Sequence, residues 1–184
     1  MADILEPLHP PRVFSEPKRF APLRSFSCGR KGNRWETSVN EWVKDLYRGL
    51  ERDQTVVVLE DARHKLIGLC SFISQPLVGG TSVGKDARRI HMIAIDRLYQ
   101  GKRLEDGSRP SDVLLSAALE QIKSVNGGRM PSVSALISPG NDRSHALFER
   151  HGFRALPYVG EGEIIRLRPP EKRLSLTRLR LLKG

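Results

Sequence analysis

One stretch constrains the fold more than any other: RRIHMIAIDRLYQGKRLEDGSRPSDVLLSAAL, from Arg88 to Leu119. Ile90–Ile95 is an apolar run of the length expected for a buried strand. Gln100–Arg109 is a loop rich in glycine, lysine and arginine. Pro110 then opens a segment in which Leu115, Ala118, Leu119 and Ile122 fall on one helical face. Strand, glycine-rich basic loop and helix start form a layout that receives a phosphate. The free N–H groups of a helix N-terminus point at the anion and the dipole favours its charge. Gly101 and Gly107 let the backbone approach closely, and Lys102, Arg103 and Arg109 supply countercharge. A solvated basic loop is the plainer reading of the same side chains. The flanking glycines and the helix start favour the phosphate.

The rest of the chain reads as scaffold around this turn. Residues 1–22 carry Pro7, Pro10, Pro11, Pro17 and Pro22, which predicts an extended arm with one edge strand near Arg12–Phe14. Trp35, Val39, Trp42, Leu46 and Leu50 recur at helical spacing. Thr55–Glu60 and Leu66–Ile73 predict a hairpin of central strands, and Gln75–Ala87 a flexible loop beside a site. Val133, Ala135 and Ile137 alternate as a strand does. Asn141 is placed to cap a short helix that runs to His151 and ends at Gly152. Phe153–Val159 and Glu163–Leu167 can close a hairpin across Gly160–Gly162. This order is α/β with a mixed sheet. The expected division is an arm (1–22), one domain (23–168) and a basic tail (169–184). The leucines from Leu174 to Leu182 would dock on the domain or meet another chain, as in a homodimer; a loose basic extension is the plainer reading.

Lysine and arginine outnumber aspartate and glutamate 31 to 21, giving a net charge of +10. That balance favours anionic partners: a phosphorylated cofactor, nucleic acid or an acidic protein; the plainer reading is that excess lysine and arginine keep the chain in solution. Cys28 and Cys70 show no CxxC and no partnered histidine, so neither a disulfide framework nor a metal site is expected, and a reducing cytoplasm is the default. No apolar run is long enough to span a bilayer, and the first residues lack the charge and apolar core of a signal peptide.

Three segments together resemble the GNAT acyltransferase superfamily. IAIDRLYQGKRLEDGSRPSDVLL is similar to its fourth strand, its Q/R-x-x-G-x-G/A pyrophosphate loop and the helix behind it. Asn141-Asp-Arg-Ser-His-Ala-Leu-Phe148-Glu-Arg-His-Gly152-Phe153 is similar to its late helix ending in Gly-Phe. Phe26-Ser-Cys28-Gly29, followed by Asn40-Glu41-Trp42-Val43, resembles the opening of toxin-type members found in toxin–antitoxin pairs. The resemblance covers roughly Arg24 to Leu167. It implies a single GNAT-like domain with a mixed, mostly antiparallel central sheet flanked by helices. Two departures stand out. Leu104–Ser108 lengthens the pyrophosphate loop, and Phe148 stands where many members carry a tyrosine that protonates the leaving thiolate.

The implied activity is transfer of an acetyl group from acetyl-CoA to a primary amine. A toxin-type member would act on aminoacyl-tRNA and have a small antitoxin as partner; a non-catalytic module binding CoA or nucleic acid is the rival class. The implied cofactor contacts are the backbone of Ile93, Ala94 and Ile95, then Gln100, Gly101, Lys102, Arg103, Gly107, Ser108, Arg109 and Ser111, with Asn141 and Phe148 from the late helix. Ser108 and Ser111 are also candidate helix caps, and Asn141 a cap first. A backbone N–H on the fourth strand would steady the oxyanion. His91 is a candidate base and His151 a candidate acid; a packed or capping histidine is the plainer reading of each. Phe148 is expected beside the cofactor sulfur.

Overall fold

The structure is a computed structural model, and it describes residues 5, 8–14, 20–29, 33–75, 77–78, 81–82, 86–156 and 164–170. The basic tail from residue 171, the turn at Gly160–Gly162 and residues 30–32 lie outside the described residues. Strands β1 (Arg12–Phe14), β2 (Thr55–Glu60), β3 (Leu66–Ser74), β6 (Arg88–Ile95), β7 (Val133–Ile137), β8 (Arg154–Ala155) and β9 (Ile164–Arg168) form one sheet in the order β1-β2-β3-β6-β7-β9-β8. The β6–β7 pair is parallel and the other pairs are antiparallel. The helices are α1 (Pro22–Ser25), α2 (Arg34–Leu46), α3 (Pro110–Val125) and α4 (Asp142–Arg150). Among the described residues, no helix is long and apolar enough to cross a membrane.

Alternation along the strands builds two cores. Val57, Leu59, Cys70, Phe72, Ile90, Val133, Ala135 and Ile137 face α3 and α4, whose Leu114, Leu115, Ala118, Ile122, Leu147 and Phe148 complete that layer. The alternate residues Val56, Val58, Leu69 and Ala94 face α1 and α2, meeting Leu23, Val39, Trp42, Val43 and Leu46. The result is helix, sheet, helix in three layers, as a mixed sheet with two apolar faces requires.

Two expectations change. Helix α2 ends at Leu46, not Leu50, because Arg48 and Gly49 turn back onto the Asp45 carbonyl and Gly49 takes φ 147°. Gln75–Ala87, expected as a loop, holds a separate small hairpin of β4 (Leu77–Val78) and β5 (Thr81–Ser82).

Gly68 on β3 is where β3, β6 and α3 come closest. A Cβ there would stand 2.6 Å from Ile95 Cδ1, 2.9 Å from the Ala94 carbonyl oxygen and 3.1 Å from Leu114 Cδ2. The backbone oxygen cannot swing aside. Gly68→Ala should therefore lower stability by about 1–3 kcal/mol, as overpacking does. A thermal melt should show it at roughly 2–4 °C per kcal/mol; an unchanged Tm would mean that the β3–β6 contact has slack.

Candidate functional site

The site begins where β6 and β7 part. Their parallel ladder runs Arg88↔Val133, Arg89↔Ser134 and Ile90↔Ala135, then stops, although β6 continues to Ile95 and β7 to Ile137. On the other side β6 stays paired with β3, but Ser71 faces Met92 while Phe72 faces Ile90. His91 is the extra residue of a β-bulge, which bends and twists its strand. Past the bulge the Asp96 N–H bonds the Ile67 carbonyl, and Gly68 faces Ile95. In that phase Ala94 pairs with Leu69 and directs its N–H and C=O toward β3, while Ile93 and Ile95 direct theirs into the parting. Met92, Ile93 and Ile95 are only half-buried, whereas β2 and β3 beside them are almost wholly buried. The expected backbone trio divides by direction. Ala94 has its backbone engaged by the sheet, and Ile93 and Ile95 are the two that face a cleft.

Ile95 is already engaged at both ends, its N–H by the Cys28 thiol. Its carbonyl accepts from Gln100 Nε2 at 2.9 Å, and Gln100 Oε1 accepts from Arg143 Nη1 at 3.3 Å, so Gln100 links the end of β6 to α4. The following loop closes on itself. Leu104 N–H bonds the Ser108 carbonyl, Gly107 N–H bonds the Leu104 carbonyl, and Arg103 Nη1 donates to the Gly107 carbonyl at 2.7 Å. Gly101 and Gly107 have φ of 80° and 79°, which other residues resist, and each would have open space around a Cβ. The longer loop is therefore a compact turn. Lys102 is half-buried, and Arg109 is exposed at the N-cap of α3.

Neither Ser108 nor Ser111 caps α3. Arg109 holds the cap position with no side-chain bond, Pro110 opens the helix, and the Ser108 N–H bonds Asp106 Oδ1. Hydrogen bonds from the Ser108 hydroxyl and N–H hold the Asp106 carboxyl below its usual pKa. Ser111 is half-buried one residue inside the helix. Asn141 does cap α4, accepting from the Ser144 N–H at 3.2 Å.

The candidate acid and base fare differently. His91 is half-buried on the α2 side, its ring 6.3 Å from that of Trp42. Burial lowers its pKa, the Arg89 charge lowers it further, and Glu51 opposes them. The lowered pKa favours the neutral ring that a base needs. Phe148 does not stand open beside a sulfur. It is 2% exposed in the α3-side core, edge-on to Phe153 at 4.9 Å, because its position on α4 points at the sheet. His151 is also committed: its Nε2–H donates to Asp112 Oδ1 at 3.1 Å, and Arg150 grips the same carboxylate through Nε and Nη2. It pins the end of α4 to the first turn of α3. His145 is buried, with Nδ1 accepting from Arg166 and Nε2 at 3.2 Å from the Ser138 carbonyl. The Tyr99 hydroxyl donates to Asp61 Oδ2 at 2.9 Å, and burial with that bond pushes its pKa up to about 12.

Three polar residues with no role assigned from the sequence hold the cleft's end together. Asn40 on α2 accepts from the Cys28 N–H and donates to its carbonyl. Buried Asp96 accepts from the N–H groups of Ser27 and Leu98. Arg143 reaches Gln100. Cys28 thereby sits at the end of β6. Burial pushes its thiol up to about 11, against hydrogen bonds from the Ile95 N–H and the Gln100 amide. An Asn one helical turn after a candidate loop is the only sequence signal for this clamp.

No family model matches the sequence, and no curated protein matches it. Solved structures do. A protein from Desulfovibrio desulfuricans assigned to the GNAT family of acetyltransferases superposes with a TM-score of 0.59 at 19% identity, over 89% of this chain and 99% of that one. AtaTR bound with acetyl-CoA gives 0.58 at 17% identity, over 96% and 98%. AtaT complexed with acetyl-methionyl-tRNAfMet gives 0.57 at 16% identity, over 97% and 100%. The chain has the GNAT acetyltransferase fold: one α/β domain whose mostly antiparallel sheet is split at a single parallel pair.

The Asp112 cluster gives a pH test. Burial raises the Asp112 pKa, but the Arg150 and His151 hydrogen bonds and charges outweigh it, leaving the carboxyl below its usual value. A lowered folded-state pKa contributes stability that is complete above the unfolded value, about 3.9, and is lost as pH falls through the folded one. Asp112→Asn should lower Tm at neutral pH and flatten the fall in Tm below about pH 4. Melts that follow the parent curve at every pH would show that the cluster contributes nothing.

Proposed function

We propose that this protein is an acetyl-CoA-dependent N-acetyltransferase acting on a primary amine. The observation that carries the reading is the parting of β6 from β7, which leaves the Ile93 N–H and C=O facing a cleft at the centre of the sheet. The residues fit the cofactor. A pantetheine arm carries amides that pair with such backbone groups, and an exposed, side-chain-uncapped α3 start with Arg109 and Lys102 beside it suits a pyrophosphate. Bound there, acetyl-CoA would supply an activated acetyl thioester.

The chain's own residues do the rest. Ile93 N–H and C=O hold and orient the cofactor arm, and positioning two reactants accounts for much of such a rate. The loop glycines admit the phosphates. His91, neutral and on the α2 side of the cleft, takes the proton of the incoming amine at a ring nitrogen. Phe148 offers no hydroxyl and His151 is held by Asp112, so neither supplies the acid. A thiol with an unperturbed pKa near 8.5 leaves with modest help at neutral pH. Cys28 and Cys70 are both free, in keeping with a cytoplasmic setting.

A second reading, action on the amino group of aminoacyl-tRNA, is favoured by the net charge of +10 and by the docking of Phe26–Gly29 onto the end of β6. A small antitoxin would be expected as the partner of such an enzyme.

Thiol release from acetyl-CoA across a panel of amines tests the transfer, with calorimetry for cofactor binding. Lys102→Ala combined with Arg109→Ala should weaken acetyl-CoA binding about tenfold and reduce its salt dependence. Unchanged affinity would remove the pyrophosphate from this loop.

A further inference from the structure

The α2-facing side of the sheet carries polar groups that the cofactor cleft does not use. Ile90, Val133 and Ala135 all belong to the α3-side core. Alternation therefore turns Arg89 and Ser134 to the opposite face, and they are register partners on the parallel pair. Ser134 is 2% exposed, and its Oγ has no hydrogen-bond partner among the described residues. A buried hydroxyl left unpaired is destabilising, so it marks a place where a partner is missing. Arg89 is half-buried beside it, and its guanidinium has no hydrogen bond or ion pair among the described residues. Its charge reaches His91, two residues along. On the same face Met92 is half-buried and Leu136, two residues beyond Ser134, is 41% exposed.

We propose that Arg89 and Ser134 form a subsite for the carboxyl oxygens of an α-amino acid group, whose amine faces His91 and whose apolar side chain meets Met92 and Leu136. The proposal rests on the transfer reading above and names its acceptor class. A guanidinium and a hydroxyl together suit a carboxylate or an ester carbonyl, through charge-assisted bonds. An α-amino acid carries that oxygen close to its amine, as Arg89 lies close to His91. A polyamine would instead bring a second positive charge against Arg89.

Tryptophan emission reads this face directly, because the two tryptophans, Trp35 and Trp42, both lie on α2. Leucine, leucinamide and isoamylamine share an amine and a side chain and differ in the carboxyl group. Leucine and leucinamide should shift the emission at concentrations about tenfold below isoamylamine. Arg89→Met and Ser134→Ala should each erase that preference and leave acetyl-CoA affinity unchanged by calorimetry. Leucine tighter than leucinamide assigns the subsite to a free carboxylate, and equal binding of the two assigns it to a carbonyl. An equal response to all three amines, no response, or a preference that survives both variants overturns the subsite. Thiol release on the same samples separates the two claims. Leucine binding without release sinks the transfer reading and leaves the subsite. Release from acetyl-CoA with no carboxyl preference sinks the subsite alone.

Discussion

The parallel ladder between β6 and β7 holds for three residue pairs and then ends, while β6 keeps its bonds to β3 to the end of the strand. The bulge at His91 is the local cause: one extra residue bends β6 away from β7. A central strand that loses one neighbour exposes backbone donors and acceptors, and buried groups of that kind require partners. The opening therefore has polar walls built of main chain, whose positions no side-chain substitution removes. The loop that follows β6 is tied back to its end by the Gln100 bond to the Ile95 carbonyl.

What keeps the opening in shape is a set of side-chain bonds around its end. Asp96 joins Ser27 to Leu98, Asn40 clamps both backbone groups of Cys28, and Gln100 joins Ile95 to Arg143. At the back, Asp112 is held by Arg150 and His151, and His145 by Arg166 and Ser138. Histidines and carboxylates that look catalytic in a motif serve here as fasteners between α3, α4 and β9. His91 differs from them in lying on the α2 face of the sheet, with its ring tilted against Trp42.

The regular elements were legible in the sequence because their signals are local. Thr55–Glu60 and Val133–Ile137 form strands at those bounds, as dense β-branched and alternating apolar residues between turn signals predict. Asn141 and Gly152 mark α4 through cap chemistry. The bulge was not legible, because it is an offset between two strands and no single strand records it. Backbone direction alternates along any strand, so Ile93, Ala94 and Ile95 cannot all turn to one side, and Ala94 is the one turned toward β3. The depth of Phe148 was not legible either, since a motif gives the residue and its helix but not how far the helix sits down on the sheet. Arg89 and Ser134 read as ordinary strand residues until the β6–β7 pairing makes them neighbours.

Amide hydrogen exchange along β6, with and without acetyl-CoA, tests the central claim most directly, because adjacent residues serve as mutual controls. Ile93 faces the parting and Ala94 faces β3. If the cleft receives the cofactor, saturating acetyl-CoA should slow exchange at Ile93 markedly and change Ala94 little. Binding that leaves Ile93 unaltered, or that protects the two amides equally, would contradict the account.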